Sequence, residues 1–460
     1  MTGVGLDFGT SNSAAAWFDG KQLRYVPMEE STPILPTAIH LDRNYAALTG
    51  TVAIDRYVEE NRGRRVELVA EVIGEAASAI ADEGPGTELE TPRHVIYGPL
   101  TDRGLRGRLF HGLKRLLGDS SVERLSVFDR PFRLVALITP VLLRMREAGE
   151  QALGSAVQRI HIGRPVNFEG NGRSRNDIAL ARLAEAVEHA GFENVNFYPE
   201  PVAATLSYLW KARPKETGIA LTVDFGGGTL DLSVIRYADT AFEVLATEGL
   251  SLGGNRIDQL IFEHLLFPLL GQGETWSRRV EGRWIETPFP FEEFAAGLLN
   301  WPITHTLNQN KTKTMVLSRI EQGGAQQSKF ERLNDLITYN YSYNCFQAIR
   351  LAKAALSEVQ DTMIDIPELN LHIPFHRRQL DSILSPMLAD LSSIIDGVLA
   401  KARLQRSAVD LVIRTGGSSQ IVAVKELLER HFPDKVTVHD PFTSVAGGLA
   451  IANYFGYRYP

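Results

Sequence analysis

The chain has 460 residues, 44% hydrophobic and 22% charged, which describes an ordinary folded protein able to bury a large core in two or more units. Its net charge of −7 argues against a non-specific nucleic-acid binder, so no nucleic-acid partner is expected. The single cysteine, Cys345, excludes an intrachain disulfide and fits a reducing compartment.

Along the chain, no basic region precedes the first strand, and no apolar run approaches the ~20 residues that span a bilayer. A cytoplasmic protein without a membrane partner is therefore expected. Val4-Gly5-Leu6-Asp7-Phe8-Gly9-Thr10-Ser11-Asn12 reads as strand, aspartate, aromatic, glycine and hydroxyl, and an apolar run follows over 14–18. Residues 51–99 read as a charged, irregular insertion. Strand is expected over 159–163, an amphipathic helix over 174–190 ending at Gly191, a short strand over 195–198, and a helix over 201–211 with Pro201 in its first turn. Val223-Asp224-Phe225-Gly226-Gly227-Gly228-Thr229-Leu230-Asp231 ends a buried strand over 219–223 and resumes the extended pattern to 235.

Gly253-Gly254 then precede a helix to about 270. A polar interlude over 271–331 carries Trp276, Trp284 and Trp301, read as local core before partner groove. One long helix is expected to run through 357, with Cys345 as a buried thiol and not a nucleophile. Another helix spans 376–403, a strand over 411–414 meets Gly416-Gly417-Ser418, and a last helix covers 444–454. Strands alternating with helices favour an α/β architecture.

The chemistry concentrates in the two strand–Asp–x–Gly hairpins. Three consecutive glycines let backbone approach a bulky anion, because no Cβ stands in the way. The flanking carboxylates repel a bare phosphate, so a cation or ordered water must lie between them. Two such hairpins half a chain apart predict a duplicated fold, one hairpin per lobe, with the anion clamped between. No G-x-x-x-x-G-K-[ST], zinc-spaced His/Cys cluster or G-x-S-x-G elbow occurs.

An ordered series runs through the chain: Asp7-x-Gly9-Thr10, Lys114-Arg115-Leu116-Leu117-Gly118, Glu200-Pro201-Val202-Ala203-Ala204-Thr205, the Asp224 loop, Gly253-Gly254 and Thr415-Gly416-Gly417-Ser418. It resembles the nucleotide-binding domain of DnaK-type heat-shock chaperones, in the actin-like ATPase superfamily. Gly163-Arg164-Pro165-Val166-Asn167-Phe168, and the ending soon after Gly447-Gly448-Leu449-Ala450, resemble its YegD-like branch. The resemblance implies an α/β actin-like fold of two lobes with RNase-H-like cores and ATP or ADP in the cleft. Lobe I would cover 1–198 and lobe II 199–440, with 441–460 returning to lobe I and no peptide-binding domain.

By the same resemblance, Asp7 and Asp224 would hold waters around Mg²⁺, Glu200 would orient that shell, and Asp231 would stand near a monovalent cation such as K⁺. Gly9, Thr10, Ser11, Gly226, Gly227, Gly228 and Thr229 would cradle phosphates. Lys114 would position the attacking water, and Pro165 falls at the inter-lobe switch. Gly253, Gly254, Lys353, Ser357, Gly416, Gly417 and Ser418 fall on the adenosine side. There the chain departs from the pattern: Arg350 replaces a glutamate, Ala354 and Gln420 replace arginines, and Phe442 replaces an acidic residue. Losing two guanidinium stacks at roughly 0.5–2 kcal/mol each weakens binding about tenfold to several hundredfold. The expectation is a slow ATP hydrolase used as a conformational switch, with an unidentified protein partner at the two insertions. The alternatives are a non-hydrolysing nucleotide sensor and, behind it, a small-molecule kinase of the same superfamily.

Overall fold

The computed structural model describes residues 2–30, 32–77, 93–170, 174–213, 217–238 and 241–459. Two mixed sheets share one topology. In the first, Leu23–Tyr25, Asn12–Phe18 and Gly3–Phe8 form an antiparallel meander that continues into the parallel strands Arg159–Arg164 and Asn194–Pro199. In the second, Ala241–Leu250, Leu230–Ala238 and Gly218–Phe225 form the meander, and Leu411–Thr415 and Val436–Val438 continue it in parallel. The duplication anticipated from two hairpins is thus a duplication of whole sheets. Gly218–Phe225 is buried along nearly its whole length, which explains its continuous apolar run.

The helices that cover these sheets are exchanged. Glu200–Ala212 leaves the first sheet and packs on Gly218–Phe225 and Leu230–Ala238 of the second. Ser444–Phe455 leaves the second and packs on Gly3–Phe8, Asn12–Phe18 and Arg159–Arg164 of the first. The two helices cross at Gly448, where a Cβ would run into the backbone of Ala203. On the sheet side of Ser444–Phe455, Val4 N–H of the strand Gly3–Phe8 donates to Asn453 Oδ1 at 3.1 Å. This mixed α/β arrangement is the actin-like fold.

Three expectations need correction. The 51–99 insertion is not irregular where described: Thr51–Asn61 is helical and Leu68–Ala77 pairs with Arg93–Asp102, while 78–92 lie outside the described residues. The long helix through 357 is two helices, Gln327–Tyr339 and Ser342–Ala355, broken where Asn340 takes a left-handed φ of 56°. The interlude, for which the sequence reading named no elements, holds a hairpin Thr275–Val280/Arg283–Pro288 and helices Glu292–Leu298 and Asn310–Glu321. Of its tryptophans, Trp301 is core, Trp276 packs against core, and Trp284 is 72% exposed.

One helix, Arg377–Lys401, is long and apolar enough by composition to match a membrane span, against the reading that no run approaches that length. It contacts both antiparallel partners Leu230–Ala238 and Ala241–Leu250, with Leu380, Leu384, Leu391 and Ile395 buried. That is the packing of a core helix.

Candidate functional site

Asp7 and Asp224 are each the penultimate residue of the central strand in their sheet, so the two hairpins leave equivalent points of a repeated structure. The loops beyond them face each other. A Cβ on Gly227 would lie 2.6 Å from Ser11 Oγ, and one on Gly228 would lie 2.6 Å from Thr10 Oγ1. Only glycine lets the loops come this close. Asn255 Nδ2 donates to Ser11 Oγ at 3.0 Å, a direct link between the halves.

The helix Gly254–Ile261 fixes the triple-glycine loop from behind. Gly254 N–H donates to Gly226 O at 3.0 Å and Asn255 N–H to Gly227 O at 2.9 Å, satisfying two donors at the helix start. Ser418 Oγ donates to the same Gly226 carbonyl at 3.2 Å. Gly226 to Gly228, Gly253-Gly254 and Gly416 to Ser418 are therefore neighbours in space.

A charge cluster sits beneath the loops. Lys114, on a short 3-10 turn Leu113–Leu116, is 5% exposed, and its Nζ lies 2.5 Å from Glu200 Oε1. A solvated lysine on a basic helix, the ordinary alternative, does not fit that burial. Glu200 opens the helix Glu200–Ala212, where the dipole favours a carboxylate. Burial, then the charge of Glu200, pushes Asp7 up to about 7 against the opposing pull of Lys114. Burial and Glu200 push Asp231 up to about 7 as well, although Thr229 and the Val166 N–H hold it down. Asp224 is raised by burial and by Glu200, Asp231 and Asp7. Burial alone would lower Lys114, but Glu200 and Asp7 outweigh it and hold the ammonium above its ordinary value.

Four carboxylates thus share one ammonium, a donor set short of positive charge. Among the described residues no three His, Cys, Asp or Glu side chains form a direct metal cage. Mg²⁺ needs none, since it keeps several waters and takes one or two carboxylates plus phosphate oxygens. The residues fit a hydrated divalent cation.

The cluster has a consequence for stability. From the ordinary carboxylate value of 3.8 up to about 7, the folded chain retains protons that the unfolded chain has released, so its stability falls as pH rises. Replacing Asp224 with Asn is expected to stabilise the unloaded protein by roughly 0.5–2 kcal/mol at neutral pH. Urea denaturation without Mg²⁺ reads this directly, and a loss of stability would contradict it.

Asp231 Oδ1 accepts from Val166 N–H at 2.8 Å, and Asn167 Nδ2 donates to Gly249 O at 3.3 Å. The segment just after Pro165 therefore crosses from the first sheet to the second.

On the adenosine side, Ser342–Ala355 buries Phe346, Ile349, Ala352 and the following Leu356 in one stripe. Arg350 and Lys353 stand on the other face, and both pair with Asp258, Lys353 at 2.5 Å and Arg350 at 3.4 Å. Ser357 lies in the turn just past the helix, half-buried. Gln420 turns back toward Arg414 Nη1 at 3.5 Å, while Arg414 also donates to Ser419 O at 2.7 Å. Phe442 is 48% exposed beside Gly417, 3.2 Å from where a Cβ would be. Asp440 holds that loop by accepting from the N–H groups of Phe442 and Thr443, both at 2.9 Å.

Sequence reading passed over Asp258 and Asn255. The available signal was an aspartate four residues after Gly254, beside Ile257 and Ile261 on the buried side of that helix.

Two sheets of one topology, exchanged helices and paired Asp–Gly hairpins define an actin-like nucleotide-binding domain. The family model described as Hsp70 protein matches residues 118–269 and 340–453, more than half of the chain, and the chain belongs to the Hsp70 family, whose members are ATPases. It is 26% identical over 435 residues to the chaperone protein dnaK of Cyanidioschyzon merolae, covering 93% of this chain and 57% of that protein. It is 27% identical over 276 residues to the chaperone protein HscA homolog of Rickettsia bellii, covering 59% of this chain and 39% of that one. Against the dnaK of Guillardia theta it is 24% identical over 436 residues, 93% of this chain and 55% of that protein. The chain spans about half the length of the dnaK relatives and less of the HscA homolog.

Proposed function

We propose that this chain binds Mg-ATP between two lobes, 1–198 and 199–440 with 441–460 returning to the first, and hydrolyses it slowly as a chaperone-related conformational switch of YegD-like type. The observation that carries this reading is one buried ammonium among four carboxylates, beneath two glycine hairpins that face each other.

Phosphoryl transfer needs positioned charge more than covalent help. When bound, Mg²⁺ would neutralise phosphate oxygens. Asp7 and Asp224 would hold its water shell and Glu200 would orient it, while Asp231 would suit a monovalent cation. The N–H groups of Gly227 and Gly228, with the hydroxyls of Thr10, Ser11 and Thr229, cradle the phosphates. Lys114, steadied by Glu200, offers N–H donors to the attacking water and the γ-phosphate. Lys353 lies over Gly254, where the ribose would rest, and Phe442 presents an open ring face for the base.

One specific observation favours a non-hydrolysing sensor as the second reading. Arg350 and Gln420 are engaged with Asp258 and Arg414, so neither offers a free stacking group to a base.

Calorimetric titration of Mg-ATP and Mg-ADP, with phosphate release followed in the same samples, separates the readings. Saturable binding with slow phosphate release is expected. Binding without release would favour the sensor, and no binding would refute both.

A further inference from the structure

Of the tryptophans in the 271–331 interlude, Trp284 is the exposed one, at 72%, with Ile285 beside it at 43%. Both lie on the hairpin Thr275–Val280/Arg283–Pro288, between the two segments that the Hsp70 family model matches. Glu281 and Gly282 turn it with φ of 48° and 82°, the left-handed pair of a two-residue hairpin loop. Its base is anchored. The Trp276 and Phe289 rings meet edge-on with centroids 5.6 Å apart, and Phe289 N–H donates to Glu274 O at 2.8 Å.

That last bond fixes the phase of the ladder. Alternate pairs of an antiparallel hairpin exchange backbone bonds, so the pairs Ser277↔Glu286 and Arg279↔Trp284 turn their N–H and C=O groups outward. On the Thr275–Val280 side, Ser277 N–H donates to Gln322 Oε1 and Gln322 Nε2 donates to Ser277 O, both at 2.7 Å. The Gln322 amide thus stands where a further strand would. On the Arg283–Pro288 side, no group among the described residues meets the outward N–H and C=O of Trp284 and Glu286. Folded proteins cover or charge such an edge, whereas this one carries a bare indole.

Residues directly opposite share a face, so Arg279 stands with Trp284 on one face, and Arg278 with Ile285 and Arg283 on the other. None of these arginines is ion-paired among the described residues. The carboxylates of the hairpin are Glu281 in the turn and Glu286, which accepts from Thr275 Oγ1. In a chain of net charge −7, this tip is locally cationic. We propose that the open edge of Arg283–Pro288 docks an extended acidic segment of a partner protein, which joins the hairpin as a third strand. Its backbone completes the ladder at Trp284 and Glu286, its apolar side chains cover the indole and Ile285, and its carboxylates meet the guanidiniums. A second copy would bring the same arginines, and an anionic membrane would leave the backbone groups unpaired.

Fluorescence anisotropy of labelled decapeptides, one of alternating Glu-Val and one of alternating Lys-Val, on the full chain without nucleotide tests this. The acidic peptide is expected to bind at least about tenfold more tightly than the basic one, and less tightly as salt rises. Trp284→Ala is expected to weaken it about tenfold. Glu286→Pro removes an outward N–H but no ladder bond, and is expected to weaken it about two- to fivefold relative to Glu286→Gln. Arg279→Glu/Arg283→Glu is expected to reverse the preference between the peptides. These positions are exposed, so urea midpoints should stay near wild type, and if one variant fails to fold the others decide. No binding of the acidic peptide to the wild type, equal binding of both peptides, or binding indifferent to every variant overturns the docking edge. So does Trp284-dependent dimerisation in sedimentation, or Trp284-dependent binding to phosphatidylserine vesicles, with which the acidic peptide does not compete. No nucleotide enters the test, so its failure leaves the nucleotide reading standing.

Discussion

Replacing Lys114 with alanine is expected to remove most phosphate release while Mg-nucleotide still binds. Loss of one preorganised donor to developing charge costs about 10²–10³ in kcat, roughly 3–4 kcal/mol. The phosphate loops are built by other residues, so the dissociation constant should move far less than the turnover number. The empty protein should suffer as well. Lys114 is the ammonium 2.5 Å from Glu200, and breaking a buried ion pair by removing one partner costs about 3–5 kcal/mol. Single-turnover phosphate release, with urea denaturation in the presence and absence of Mg-nucleotide, separates the two effects. Unchanged single-turnover release would remove Lys114 from the proposed chemistry. Unchanged stability would mean that solvent, not Glu200, compensates its charge.

The second large effect is expected at Gly448. A Cβ there meets the carbonyl, carbonyl carbon and Cα of Ala203, all backbone atoms that no rotamer change can move. Gly448→Ala should therefore force the two crossing helices apart and destabilise the fold by about 3 kcal/mol or more, the upper end for overpacking. Gly397 is the internal control. It lies on the helix Arg377–Lys401 with nothing within 4 Å of its Cβ position, so Gly397→Ala should stabilise by roughly 0.4–1 kcal/mol. Opposite shifts in urea midpoint are the expected pattern. A Gly448→Ala midpoint equal to wild type would show that the crossing has slack.

Much of this structure could be read locally. The strands around Asp7 and Asp224 are apolar runs ended by glycines, and both period and turn chemistry are encoded within a few residues. The stripe Phe346, Ile349, Ala352, Leu356 was legible for the same reason. What escaped depends on residues far apart in sequence. Asp258 looks like any helical aspartate until Lys353 arrives from 95 residues away. Tyr57 looks like one aromatic in a charged stretch until Trp301 covers it from 244 residues away. The break at Asn340 failed for a different reason: asparagine tolerates the left-handed cap without the glycine that usually marks it.

The exchanged helices also bear on when the protein becomes a protein. Ala14, Ala16 and Phe18 of the first sheet are covered by Ala446, Ala450 and Ile451, which are made far later than the strand they cover. Until Ser444–Phe455 is made, that apolar face has no native cover. Its completion demands contacts spanning almost the entire chain, the kind that form slowly and expose a nascent sheet to misassociation. A chain built this way cannot finish this sheet before Ser444–Phe455 is made.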